Sequence, residues 1–179
     1  RENAPFGLFL GVSTQDLWHL FISPGPTYDP EGFEKDYWHS ANGLYAAGLR
    51  KGDVILNTFA YHLTPAGWMI DGGAKLLGCP VVPSGTGNTE LQVRIMHQLN
   101  VTAFVGTVSF LMALIKKGEE IGLDFHRDIR LRHALLSGEM IPQSVRKSLT
   151  EEYGIDVTDL YGSAEFGLIA YECSQKSGL

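Results

Sequence analysis

Short apolar runs of strand length alternate along this chain with longer stretches of helical periodicity, and few folds accommodate that order. The runs lie at residues 54–58, 80–83, 102–106, 131–136 and 156–160. Between them, residues 64–78, 88–99, 107–121 and 142–153 carry apolar side chains three or four apart, as helices with one buried face do. In the third of these helices Val108, Leu111, Met112 and Ile115 share a face. Asn88 and Thr89 are candidate N-caps for the second. A further helix is expected at 30–48, where Phe33, Tyr37, Ala41, Leu44 and Tyr45 recur at helical spacing. Pro30 suits its first turn and Gly48 its stop. Apolar strands separated by helices predict an α/β fold: a mainly parallel sheet with helices on both faces, joined by right-handed crossovers. Hydrophobic residues make up 44% of the 179, enough for such a core, and no repeat or low-complexity linker divides the chain. Gly67, Gly72 and Gly73 weaken the helix at 64–78, unless they permit close helix packing or the approach of a ligand.

Open α/β sheets bind ligands outside the carboxyl ends of their strands. Here those ends carry Asn57-Thr58, Ser84-Gly85-Thr86-Gly87, Gly106-Thr107, Ser137-Gly138-Glu139 and Leu160-Tyr161-Gly162-Ser163. Glycine and hydroxyl residues favour turns of any kind, so turn chemistry alone could account for some of them. Their gathering at one end of nearly every strand points to a cleft.

Several chemistries drop out. Fourteen Lys and Arg against 20 Asp and Glu give a net charge of −6 with no basic cluster, which disfavours nucleic acid as a partner. A compact nucleotide remains compatible, since backbone N–H groups and a metal ion hold phosphates without net positive charge. Cys79 and Cys173 form no C-x-x-C pair, so a reducing cytoplasmic setting is expected. No apolar run is long enough to span a membrane. Gly85-Thr86-Gly87-Asn88-Thr89-Glu90 follows a strand and opens a helix, but Glu90 stands where a dinucleotide fingerprint needs its third glycine. No Walker loop, G-x-S-x-G or H-E-x-x-H pattern occurs. Of the six histidines only His62 sits near a strand's carboxyl end with no helix intervening.

The segment from Leu160 to Gly167 is the most informative. Tyr161, Gly162 and Glu165 leave one strand together, supplying a flat ring, room for close backbone approach and a hard-cation ligand. That trio suits a purine nucleotide with Mg²⁺, which takes one or two carboxylates plus phosphate oxygens. A glycine turn with a solvated glutamate is the competing account.

Tyr161-Gly162-Ser163-Ala164-Glu165 resembles the Y-G-x-[ST]-E motif of the adenylate-forming superfamily, which includes acyl-CoA synthetases, luciferases and adenylation domains. Other segments resemble its phenylacetate–CoA ligase-like members: the Gly48 to Asp53 turn, the Gly85 to Glu90 loop, Leu131-Arg132 leading to Ser137-Gly138-Glu139, and Ala170-Tyr171-Glu172-Cys173. They occur in the family's order from about Pro5 onward. The resemblance implies that residues 1–179 form the central portion of a large AMP-binding N-terminal domain, without the small C-terminal domain. It implies a parent enzyme that joins a carboxylic acid to ATP as an acyl-adenylate and then to CoA as a thioester. Ser137, Gly138, Glu139, Asp159, Tyr161 and Gly162 would border the AMP moiety, and Glu165 would hold Mg²⁺. The acid would lie between Tyr61, His62 and Trp68 on one side and Gly106 and Thr107 on the other. Tyr61 and Trp68 would suit an aryl or other apolar acid there, or would serve equally as core aromatics. The implied partners are a small carboxylic acid and a nucleotide, with neither nucleic acid nor membrane, and with room for a homo-oligomer.

Three departures from the family pattern bear on activity. Where a Ser/Thr/Gly-rich phosphate loop ending in Lys should stand, the chain has only Ser23 to Tyr28, flanked by Phe21 and Ile22. It has no Lys, and Pro24 and Pro26 lack N–H donors. Ala164 replaces a hydroxyl residue. The opening at Arg1-Glu2-Asn3 and the end at Leu179 suggest a piece of something longer, lacking the ribose-binding Asp and the catalytic Lys of the C-terminal domain. Such a piece is expected to expose apolar surface, to self-associate and to be inactive on its own. The alternative is a non-catalytic homologue that binds a nucleotide or a protein.

Overall fold

The computed structural model describes residue 6, residues 10–25 and residues 27–179. Arg1 to Pro5 and Pro26 lie outside the described residues, so the expectations resting on them have no structural counterpart here.

A two-stranded antiparallel hairpin, β1 (His19–Ser23) and β2 (Thr27–Glu31), precedes the main sheet. The remaining elements are α1 (Ser40–Ala46), β3 (Ile55–Asn57), α2 (Ala66–Leu77), β4 (Val81–Pro83), α3 (Thr89–Gln98), β5 (Ala103–Gly106), α4 (Val108–Glu120), β6 (His133–Leu136), α5 (Gln143–Glu151), β7 (Asp156–Ser163) and β8 (Gly167–Tyr171). The six-stranded sheet runs in the order β4-β3-β5-β6-β7-β8, parallel throughout except for the antiparallel edge strand β8.

Both faces of this sheet are covered, which is why its strands read as unbroken apolar runs rather than alternating ones. Successive side chains point to opposite faces. Phe104, Ala134 and Leu136 therefore pack with Met96, Leu111 and Leu149, while Ala103, Val105 and Leu135 pack with Leu44, Ile70 and Ala74. The α/β architecture expected from the sequence is the one observed. The helix termini also follow local chemistry: the Asn88 side chain accepts from Leu91 N–H, and Thr107 Oγ1 accepts from Phe110 N–H at 3.3 Å.

The helix expected at 30–48 is shorter than its periodicity suggests. Pro30 lies in β2 opposite Leu20, and α1 starts only at Ser40. The reason is local. The Asp36 carboxylate accepts from Ser40 N–H at 3.0 Å and Ala41 N–H at 2.9 Å, satisfying orphan donors of the first turn. His39, with φ of 57°, turns the chain into it. Phe33, counted towards the helical face, is exposed in the preceding loop. The hairpin and β8 were not legible as strands.

Gly73 explains one of the three glycines in α2. A Cβ there would overlap Ser40 Oγ and Ala41 N of α1, so the two helices touch backbone to backbone. Gly73 N–H donates to Ser40 Oγ at 3.2 Å, and Ser40 Oγ–H donates to Met69 O at 2.5 Å.

At the amino edge of the sheet, buried Asp53 accepts from Arg50 N–H (2.8 Å), Thr102 Oγ1 (2.8 Å) and Arg132 Nη2 (2.7 Å). It thereby joins the turn before β3 to the starts of β5 and β6. Burial alone would raise its pKa. The hydrogen bonds from Arg50 and Thr102, together with the Arg132 charge, outweigh burial and hold the carboxyl below its ordinary value of 3.8.

Two outcomes follow from this packing. Gly73→Ala is expected to destabilise the chain by about 1–3 kcal/mol through overpacking, read by urea unfolding. Asp53 contributes fully at pH above its unfolded pKa, and that contribution is lost as pH falls through the lower folded one. Asp53→Asn should therefore lower stability at pH 7 by about 1–3 kcal/mol and flatten the acid limb of a stability–pH profile.

Candidate functional site

Because the sheet is buried on both faces, only its ends are free for chemistry. The carboxyl ends of β3, β5, β6 and β7 and the loop after β4 meet around one cavity of about 530 Å³. Thr86, Thr107, Ser137, Gly138, Gly162 and Ala164 supply small and hydroxyl-bearing groups to its lining. Leu44, Phe59, Met69, Ile70, Leu160 and Leu168 supply apolar ones. None of the residues lining it is charged.

Thr107, Ser137, Gly138 and Gly162, four residues singled out in the sequence, thus lie around a single cavity. Gly106 ends β5 beside it, and its carbonyl accepts from Ser137 N–H at 3.0 Å, which fixes the loop after β6 against the start of α4. Glu139 is exposed at the same corner. Its carboxylate accepts from Ser109 Oγ at 2.6 Å and Ser109 N–H at 3.0 Å, and these bonds hold its pKa below the ordinary value. Glu139 therefore also caps the first turn of α4.

Tyr161 is exposed on β7 between two lining residues, Leu160 and Gly162, and is not itself part of the lining. Glu165 is exposed in the turn between β7 and β8, next to the lining residue Ala164, and has no ion-pair or hydrogen-bond partner among the described residues. The described residues contain no group of three or more His, Cys, Asp or Glu arranged to hold a metal ion. A lone free carboxylate fits Mg²⁺ only where phosphate oxygens and water complete the coordination, as that ion commonly requires.

Asp159 stands apart from the cavity. Its N–H donates to Glu172 Oε2 at 2.8 Å, its carbonyl accepts from Glu172 N–H at 3.1 Å, and Arg146 Nη2 reaches the same Glu172 oxygen at 3.0 Å. Burial, with the Glu172 charge, raises the Asp159 pKa. This cluster ties α5 to β7 and the end of β8.

Of the five residues expected to face the acid, Thr107 alone is in the lining; Gly106 adjoins it, and Tyr61, His62 and Trp68 lie outside it. His62 is exposed. The Trp68 ring packs at 4.8 Å from His19 and 5.6 Å from Tyr61, and its Nε1–H donates to Tyr61 O at 3.1 Å. The Tyr61 hydroxyl donates to Asp71 Oδ1 at 2.7 Å and accepts from Asn57 Nδ2 at 2.8 Å. Burial and then Asp71 drive its pKa far up, so the phenol stays protonated. Phe59, Met69, Ile70 and Phe110 form the wall that sequence reasoning missed. Met69, Ile70 and Phe110 fall within expected helices and Phe59 in the loop after an expected strand, and nothing in a helical period separates a side chain facing a cavity from one facing the core.

The segment in the phosphate-loop position folds as the β1–β2 hairpin, with Ser23 Oγ and Thr27 Oγ1 bonded to each other at 2.6 Å across its turn. Ser23 and Pro24 reach the cavity lining. No helix among the described residues is long and apolar enough to cross a membrane.

No family model matches the chain. The phenylacetate–coenzyme A ligase of Pseudomonas putida is 32% identical over 97% of this chain and 41% of its own length. That of Aromatoleum evansii is 30% identical over 92% and 39%. A crystal structure of 2-hydroxyisobutyryl-CoA ligase, in an open conformation with 2-HIB-AMP and CoA, superposes with a TM-score of 0.89. It is 24% identical, over 97% of this chain and 40% of that one, and so bears on the fold alone. The chain spans about two fifths of the length of the curated relatives it matches. With the fold, the ordered motifs and these identities in agreement, the chain is a partial-length, phenylacetate–CoA ligase-like member of the adenylate-forming superfamily.

Proposed function

We propose that residues 1–179 are the central portion of the AMP-binding N-terminal domain of an ATP-dependent carboxylate–CoA ligase whose acid is aryl or otherwise apolar. The observation that carries this reading is the uncharged cavity at the strands' carboxyl ends, apolar on one part of its wall and hydroxyl- and glycine-lined on another. In the reaction a carboxylate oxygen attacks the α-phosphorus of ATP and the bond to pyrophosphate breaks. The CoA thiol sulfur then attacks the acyl carbon and AMP departs.

The apolar wall takes up the acyl group and excludes water, while the absence of charge there disfavours polar acids. Gly138 and Gly162 allow the nucleotide close to the backbone, with Ser137 beside them. Tyr161 and Glu139 border the same nucleotide, whereas Asp159, tied through its backbone to Glu172 and apart from the cavity, supports the strand that carries Tyr161. Glu165 would hold Mg²⁺, which when bound offsets charge on the phosphates.

Two features weigh against turnover by this chain. The hairpin's Ser23 and Thr27 hydroxyls are engaged with each other, and Ala164 has no hydroxyl to offer. Each lost preorganised donor costs roughly 10²–10³ in rate. The same features favour a second reading, a non-catalytic nucleotide-binding module.

Thermal melts and calorimetry with Mg·ATP, with and without phenylacetate or decanoate, test these readings. Mg·ATP at 100 Kd should stabilise the chain by about 2.7 kcal/mol. Ala66→Trp, at the cavity wall, should abolish binding of the acid and spare Mg·ATP. Glu165→Gln should weaken Mg·ATP about tenfold without affecting magnesium-free ATP. Nucleotide binding with no response to any apolar acid would favour the module. Binding of neither would remove both readings. ATP–pyrophosphate exchange is expected to be undetectable, and robust exchange would refute the predicted inactivity.

A further inference from the structure

The cavity walls are separate pieces of chain, and they converge on a residue that does not touch the cavity. Asn57 ends β3 and is fully buried. Its carbonyl accepts from Ser84 Oγ at 3.0 Å and Gly85 N–H at 3.1 Å, fastening the loop that carries Thr86. Its side-chain oxygen accepts from the N–H of Phe59 at 3.2 Å. Its Nδ2 donates to Gly67 O at 2.9 Å in the first turn of α2 and to Tyr61 OH at 2.8 Å. The Tyr61 hydroxyl in turn donates to Asp71 Oδ1, one turn further along α2.

Three stretches of wall hang from this one residue: Phe59 and Ala60, then Ala66, Met69 and Ile70, from its side-chain amide, and Thr86 from its backbone carbonyl. Gly67 N–H closes the arrangement by donating to Ala60 O at 3.1 Å. The packing is tight, since a Cβ on Gly67 would come within 2.9 Å of the Tyr61 ring. A hydrogen-bonded set with buried members has little freedom to relax, because each broken bond leaves a polar group without water. The distance between the Phe59 wall and the Met69–Ile70 wall is therefore constrained by the Asn57–Tyr61–Asp71 set in addition to the packing of Phe59 against the cluster that holds Ile70.

From this geometry we propose that Asn57, Tyr61 and Asp71 are positioning residues that determine which acyl shapes the cavity accepts, acting through its walls and not by contact with the acid. The proposal rests on the reading of the cavity as an acyl site. Tyr61 thereby gains a role in selectivity from behind the wall.

The experiment uses the 179-residue chain with Tyr61→Phe and Asp71→Asn, both close to isosteric, with Asn57→Asp as the more severe variant. Amide hydrogen exchange without ligand is expected to rise tenfold or more at residues 58–61 and 66–71, leaving β5 and β6 unchanged. In Asn57→Asp the increase at those residues should be larger, while residues 84–86, held by the backbone carbonyl of residue 57, stay unchanged. Calorimetry with phenylacetate, cyclohexanecarboxylate and decanoate should show the ratios of their Kd values changing at least fivefold, while Kd for Mg·ATP stays constant. If acid and nucleotide weaken together, or if Tyr61→Phe and Asp71→Asn leave both exchange and Kd ratios unchanged, the positioning role is refuted. If none of the acids binds the unsubstituted chain even as exchange rises in the variants, the acyl reading fails and the selectivity proposal falls with it, leaving only a structural tether.

Discussion

Burial of one sheet on both faces governs the rest of this structure. Phe104 and Leu136 pack under α3, α4 and α5, while Val105 and Leu135 pack under α1 and α2, so the central strands β3 and β5 offer no side chain to solvent and β6 only the half-buried His133. A polar group placed there without a partner would cost several times what a typical hydrogen bond returns. Chemistry is consequently confined to strand ends. Parallel pairing then brings the carboxyl ends of β3, β4, β5, β6 and β7 to the same edge.

The two edges are built differently. At the amino edge, Asp53, Thr102 and Arg132 form a charged knot that joins three segments. At the carboxyl edge the joints are made by neutral groups: Asn57 to the β4 loop, Gly106 O to Ser137 N–H, Thr107 at the start of α4. The carboxyl groups of Glu139, which is exposed, and of Asp71, behind the wall, are the exceptions. Neutral joints leave the cavity free of fixed charge, so a bound anion there would meet its countercharge only from what accompanies it and from the rim. That fits a site for a nucleotide arriving with its own cation.

Legibility in the sequence followed the same division. The strands of the parallel sheet and helices α2 to α5 were readable because two-sided burial leaves apolar runs and one-sided burial leaves a period near 3.6. Ser137, Gly138, Gly162 and Thr107 were readable because strand ends tolerate only certain residues. The β1–β2 hairpin and the edge strand β8 were not readable, since exposed Leu20, Ile22, Ile169 and Tyr171 mix with polar residues and give no clean pattern. Phe33 and Tyr37 imitated a helical stripe that Asp36 and His39 do not allow to begin. The position of Tyr61 was beyond reach for another reason. Which way an aromatic ring turns depends on Asn57 and Asp71, and only the folded chain brings those partners to it.

The placement of Tyr61 also changes what an aromatic residue near a binding cavity means. A ring on the wall selects by shape and stacking, and enlarging or shrinking it alters the cavity directly. A ring behind the wall, with its hydroxyl committed to a half-buried carboxyl and to the buried Asn57 amide, selects by stiffness, because the wall cannot yield without breaking hydrogen bonds that water does not readily replace. In this chain the apolar side chains of Met69, Ile70 and Phe59 give the cavity its surface, and the polar set beneath them fixes how far apart those surfaces stand.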